Sequence, residues 1–367
     1  MTDVSDAGGG SVHTGGRRFL HPLLLTVLQR LGLGVVTLFM VSILIFTSIE
    51  ALPGDFAEAM LGRSATRETV IAYRHQLGLD QPAVERYFSW IGGAVHGDFG
   101  MSLASRPQAV RTVTDIIGPR LYNTFFLAVM TASFAVPLAL GLGMLTALYQ
   151  NSFFDRAINA LTLTTISVPE FFIAYILCYL VISKDNFSSS DFANSLPVWL
   201  ADLGTWLTAA IPRLPTLAVV DASAPFFARV WDLLLPALTL TLVIVAHMMR
   251  MTRAVLVGLL ASPYIEMAKL KGLSRARAVF HHALPNAWAP IATVVALNLA
   301  YLIVGVVVVE VVFVYPGIGQ LMVDAVKSRD VPVVQACALI FAATYILLNL
   351  IADIIAIVTN PRLLYPR

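Results

Sequence analysis

A run of about twenty mostly apolar residues is long enough to cross the hydrocarbon core of a bilayer as one helix. This chain has six such runs, roughly 31–52, 121–149, 157–183, 233–260, 288–315 and 335–359. Backbone in lipid must satisfy its own hydrogen bonds, so runs of this length predict helices. The expectation is an all-α polytopic membrane protein with six transmembrane helices. Composition agrees: 58% of the 367 residues are hydrophobic and only 13% are charged, against roughly 25% charged in ordinary soluble domains. A net charge of +2 argues against nucleic acid as a partner. Cys178 and Cys337 each lie inside an apolar run, which points to buried thiols rather than a disulfide framework.

Lysine and arginine counts set the orientation. With both termini inside, the inner segments 1–30, 150–156, 250–284 and 359–367 hold 12 Lys and Arg against 4 Asp and Glu. The much longer outer segments 53–120, 184–232 and 316–334 hold 12 against 14. Basic density is therefore higher inside, the bias expected of short cytoplasmic loops. Cytoplasmic N and C termini follow as the expectation.

The chain divides into three parts. Residues 1–16 are polar and glycine-rich, a composition expected to be disordered. Residues 17–120 hold the first transmembrane helix and a structured external loop. The apolar run after Arg17 and Arg18 is too long for the core of a signal peptide and is not followed by a small-residue cleavage site, so it reads as a retained anchor. In the loop, one helix pattern near 67–77 is stopped by Gly78. A second starts at Pro82 with Val84, Tyr87, Phe88, Ile91 and Val95 on one stripe, suited to the membrane interface or to capping the bundle. Residues 121–367 form a core with five transmembrane helices. It includes an external insertion at 184–232, where Trp199 and Trp206 suit an interfacial position.

One stretch breaks the apolar pattern. "EMAKLKGLSRARAVFHHALPNAW", Glu266 to Trp288, lies on the inner side between the fourth and fifth runs. Ser262 is placed to cap a helix, Pro263 fits its first position, and Glu266 sits near the positive end of the helix dipole. Lys269 and Lys271 sit near the negative end, and Gly272 suits the left-handed residue after the last turn. A second helix is expected from Ser274, with Ala276, Val279, Phe280 and Ala283 on an apolar stripe and Arg275, Arg277, His281 and His282 off it. Pro285 and Pro290 are expected to end or redirect it. Two short helices at 261–285, joined by a glycine turn, make a rigid surface with one apolar and one basic side. A solvated loop that anchors lipid headgroups needs no such caps and stops; a surface that docks a rigid protein does.

This segment resembles the signature loop of the membrane subunits of ABC importers, in which Glu-Ala-Ala is followed after three residues by Gly, then after nine by Ile, one residue, and Leu-Pro. Here the positions are Glu266, Met267, Ala268, Gly272, His282, Leu284 and Pro285, with Met267 and His282 departing from the pattern. "LPGD", "LGLDQP", "RYFSWIGGAVHGDFGMSL", "VEVVFVYPGIGQLMVDAVKSRDVPVVQA" and "NLIADIIAIVTNPRL" are similar to the dipeptide, oligopeptide and nickel permeases. The resemblance implies a type I ABC importer permease fold in a bacterial inner membrane. It implies a second homologous permease subunit, two cytoplasmic ATPase subunits docked on 261–285, and an extracytoplasmic solute-binding protein. ATP and Mg would belong to the ATPase subunits, since this chain has no G-x-x-x-x-G-K-[ST] phosphate loop and no expected cofactor or catalytic residue of its own.

Ionisable groups inside apolar runs face protein or water. Glu170, after Pro169, is a candidate for the pathway wall, where a carboxylate suits the ammonium group of a peptide. Glu310 and Asp353 match family positions and read as helix–helix contacts. His247 reads as a packing or interfacial residue, and His281 and His282 diverge too far to share a metal. A proton-coupled secondary transporter using Glu170, Glu310 and Asp353 is the alternative, but it needs no docking loop. An intramembrane hydrolase lacks a nucleophile–base pair.

Overall fold

The computed structural model describes residues 15–51, 66–76, 78, 80–104, 111–183, 194–210, 212–219 and 224–359. Most of the expected tail, residues 1–14, lies outside them, as do 105–110 and, within the expected insertion, 184–193, 211 and 220–223. The first helix, α1 (Gly15–Glu50), starts well before its apolar run. The external segment holds α2 (Arg67–Gln76) and α3 (Ala83–Val95). Then come α4 (Val113–Leu148), α5 (Phe153–Ser167), α6 (Glu170–Ser183), α7 (Val198–Ala210), α8 (Phe226–Asp232) and α9 (Leu234–Leu260). The inner loop carries α10 (Pro263–Leu270), and the chain ends with α11 (Leu284–Val312), α12 (Ile318–Lys327) and α13 (Val331–Thr359). Among the described residues the only β pairing is an isolated bridge between Met101 and Thr112.

The third apolar run is not one helix. Val168 takes an extended conformation at φ −101°, ψ 129°, as the ring of a following proline favours. α5 and α6 consequently meet at 107° on either side of Val168 and Pro169. Five straight helices and this bent pair are long and apolar enough to span a membrane. The geometry also counts the crossings. Arg30, early in α1, makes a 2.7 Å ion pair with Asp353, late in α13. A Cβ added at Gly34 would lie 3.3 Å from Ile346. The first and last helices therefore run antiparallel, with both ends of the described chain on one side. That requires an even number of crossings, so the bent pair supplies the sixth.

α9 is the centre. Two-thirds (67%) of its span is buried, against 11% for α1 and α13. It packs on α4 and α11 through Leu127, Ala135, Leu240, Met248, Met249, Val306 and their neighbours. The closest approach is at Gly143, where an added Cβ would lie 2.8 Å from Thr252 Cβ and 3.0 Å from the Met249 carbonyl. Gly143→Val is therefore expected to force α4 and α9 apart, at about 3 kcal/mol. Thermal unfolding of the purified protein should show it, while Gly141→Val, where an added Cβ meets nothing within 4 Å, should be nearly neutral.

The external segment is fixed to this frame at two points. Tyr87 on α3 is buried against Phe46 (ring centroids 5.5 Å apart) and its hydroxyl lies 2.8 Å from Ser42 Oγ. Arg86 donates to Glu50 at 2.5 Å. Of the expected apolar stripe only Tyr87 is fully buried; Val84, Phe88 and Val95 are exposed. α3 leans on α1 by one edge, because its large rings, not its whole stripe, find partners there. Further along, the buried Asp330 carboxylate accepts hydrogen bonds from the Ser102 hydroxyl and from the Leu103 (3.1 Å) and Ala104 (3.3 Å) amides. This ties the end of the external loop to the turn between α12 and α13.

Candidate functional site

The inner loop is a rigid appendage, not a solvated link. On its inward side Ile265, Ala278 and Ala283 are fully buried with Ala147 of α4, Leu256 of α9, and Ala287 and Ile291 of α11. Gly272 takes φ +86° with open space around its absent Cβ, so backbone conformation rather than crowding selects glycine there. Ser274 Oγ accepts from the Arg277 amide at 3.4 Å. Ser262 does not cap α10 with its side chain; its hydroxyl turns back to the Leu259 carbonyl at the end of α9.

Two expectations for the second helix are corrected. It does not end at Pro285. A helical turn at Arg275–Arg277 passes into a π-helical turn at Ala278–Ala283 and then directly into α11. Proline lacks a donor and its ring crowds the carbonyl four residues back. A π-turn widens the coil, which lets Pro285 sit inside the first turn of α11. The buried stripe is also shifted: Ala278, Val279 and Ala283 face inward, whereas Ala276 and Phe280 are exposed.

The outward side is consequently mixed rather than simply basic. Glu266, Met267, Lys271, Gly272, Arg277, His281, His282 and Pro285 are exposed, and Ala268 and Leu284 are half-buried. Among these polar groups stand four large apolar side chains, Tyr264 (44% exposed), Met267 (57%), Leu270 (77%) and Phe280 (50%). The His282 carbonyl accepts from Asn286 Nδ2 at 2.8 Å, and this closes the loop onto α11.

The three intramembrane carboxylates occupy unlike surroundings. Glu310, fully buried near the end of α11, accepts from Thr124 Oγ1 of α4 at 2.5 Å and from the Gly319 and Gln320 amides at 2.7 and 3.3 Å. It thereby caps the N-terminus of α12, and Thr124 Oγ1 also accepts from the Ile318 amide at 2.9 Å. A Cβ at Gly317 would overlap the Glu310 carboxylate. Asp353 is held in the ion pair with Arg30. Glu170, at the first turn of α6, lies beside Gly305, where an added Cβ would be 2.9 Å from Oε2. The Tyr301 phenol faces it, and the His247 ring lies 6.0 Å from that of Tyr301. The three carboxylates thus do not form a relay, and nothing supports the proton-coupled alternative.

Residues 139–365 match the family described as binding-protein-dependent transport system inner membrane component, and residues 23–115 match its N-terminal companion family. The first match covers more than half of the chain. The chain belongs to this family. It is an inner-membrane permease of the ABC importer type, within the peptide and nickel permease group. Similar relatives include the glutathione transport system permease protein GsiC of Escherichia coli K12 and of Shigella dysenteriae serotype 1. Each is 36% identical over 341 residues, 92% of this chain and 98% of the relative.

The permease also uses residues that the sequence did not mark. Asp155, buried at the start of α5, makes two 2.7 Å bonds with Arg253 of α9 and accepts from Asn159 at 2.7 Å and the Asn151 amide at 2.9 Å. Asp155 is the one acidic residue of the short inner segment 150–156, but Arg156 beside it and Arg250 near Arg253 leave the pairing open in the sequence. Arg229 of α8 donates to Asn123 at 2.5 Å and stacks over Tyr122 and Phe126 at 5.0 and 4.9 Å. Nothing in the local sequence joins those positions, which lie about a hundred residues apart.

Proposed function

We propose that this chain is the membrane-spanning subunit of an ATP-driven importer of short peptides or related solutes such as glutathione. It pairs with a second homologous permease, receives solute from an extracytoplasmic binding protein, and is driven by two cytoplasmic ATPase subunits that hold ATP and Mg and grip the 261–285 loop. The observation that carries this reading is the outward face of that loop. Tyr264, Met267, Leu270 and Phe280 are exposed on a segment whose other side is locked into α4, α9 and α11. Such a rigid apolar patch rimmed by charge is the form of a protein-docking surface. Met267, where the resemblance has alanine, supplies a flexible side chain able to fill an irregular groove.

The test is the double variant Met267→Asp/Leu270→Asp. Both side chains are exposed, so the permease should insert and fold normally. The ATPase subunits should no longer co-purify, and ATP-driven uptake should fall at least about ten-fold, the equivalent of about 1.4 kcal/mol lost at the interface. Undiminished co-purification and uptake would sink the docking role of this loop.

A further inference from the structure

The open face of α1 is what a helix shows to lipid: Leu24, Leu28, Leu33, Val36, Met40 and Leu44 are all exposed. The open face shared by α6, α9 and α11 is different. Tyr301 (48% exposed) and Val304 (56%) stand on α11 in the turn that leads up to Gly305, which the half-buried Glu170 carboxylate meets. The half-buried His247 ring adjoins Tyr301, and Arg250 is exposed one turn further along α9. Among the described residues, neither His247 nor Arg250 makes a side-chain hydrogen bond or an ion pair. Glu170 and Leu240 both approach Gly305; Leu240 lies about 9 Å from the start of α9 at 1.5 Å per residue, and His247 lies about 10 Å further along. Ionisable groups at that depth face water or protein, not acyl chains.

We propose that Glu170, Tyr301 and His247 form a recognition station on the wall of the translocation pathway, where the Glu170 carboxylate takes the protonated amine of a peptide-like solute. This rests on the importer reading and names the chemistry that one of its walls recognises. An ammonium group pairs with a carboxylate by charge-assisted hydrogen bonds and with the face of a tyrosine ring by cation–π attraction. Gly305 leaves the space that the carboxylate occupies; any side chain there would push it aside. Glu310 could not serve, since its oxygens are already engaged by Thr124, Gly319 and Gln320. Arg250, about 15 Å from the Glu170 level, offers the opposite charge to a solute's carboxylate as it moves along.

The experiment uses the whole transport system in its native membrane, with Cys178→Ala and Cys337→Ala as background. Val304→Cys is treated with a positively and a negatively charged methanethiosulfonate of similar size, each corrected for its rate with a free thiol. Val36→Cys on α1 is the lipid-facing control. Val304→Cys is expected to react, with a preference for the positive reagent that drops about five-fold when Glu170→Gln is added. Val36→Cys is expected not to react. If Val304→Cys resists both reagents as Val36→Cys does, or reacts without a charge preference that depends on Glu170, the station is refuted. The labelling needs no identified solute, so its failure is distinct from loss of ATP-driven uptake, which would strike the importer reading itself.

Discussion

Replacing Glu310 by alanine is expected to lower the stability of the permease by about 4 kcal/mol, a large share of the margin that keeps a domain folded. The cause is the donors left behind. Thr124 Oγ1 and the Gly319 and Gln320 amides all point at one carboxylate that is fully buried. A buried donor without an acceptor loses its hydration and gains nothing in return. Glu310→Gln keeps the volume but turns an amide NH2 toward groups that are themselves donors, so it should fall between alanine and the native residue. Thermal unfolding of the detergent-purified protein measures the order native, Gln, Ala. A midpoint for Glu310→Ala within about 2 °C of the native one would show that the network carries little. Gly317→Ala should resemble Glu310→Ala, because its methyl group would displace the same carboxylate.

The second large effect is expected at the inner end. Asp155 is 4% exposed and Arg253 23%, and their two bonds are both 2.7 Å. Truncating one partner strands the other charge away from water, at about 3–5 kcal/mol. Arg253→Ala should therefore be severe, and Asp155→Ala also frees the Asn151 amide and Asn159. The apolar double variant Asp155→Leu/Arg253→Met should be milder than either single change, because it removes both desolvation penalties together. Folded yield and unfolding midpoint of the four proteins close the cycle. A double variant worse than both singles would mean that the pair contributes more than mutual neutralisation.

How much could be read in advance differs from element to element. The straight helices were legible because bilayer thickness converts length directly into a span. Gly272 was legible because a left-handed residue after a short capped helix has few other occupants. The break at Val168 and Pro169 was not legible, and 157–183 read as one run: proline biases its predecessor, but whether a helix bends or parts depends on what each half packs against. Pro285 misled in the opposite direction, since the π-turn that absorbs it is specified by Ala278 and Ala283 packing on α4 and α9 rather than by local propensity. The pairs Asp330 with Ser102, Asp155 with Arg253 and Arg229 with Asn123 join positions roughly one hundred to two hundred residues apart. A single sequence contains both members of such pairs without saying that they meet.

The unbroken passage from the Arg275 turn through the π-turn into α11 has a mechanical consequence. From Arg275 to Val312 the chain is one continuous helical run of about 55 Å that takes in the π-turn and Pro290, and Glu310 bolts its far end to α12. A flexible joint would dissipate a displacement of the near end; a continuous helical run delivers it. Whatever shifts the loop at one membrane face must shift α12 at the other, together with the turn in which Asp330 holds the external loop. Thermodynamic linkage then works in both directions: a ligand on the outer side that favours one position of α12 must, by the same amount, favour one position of the inner loop.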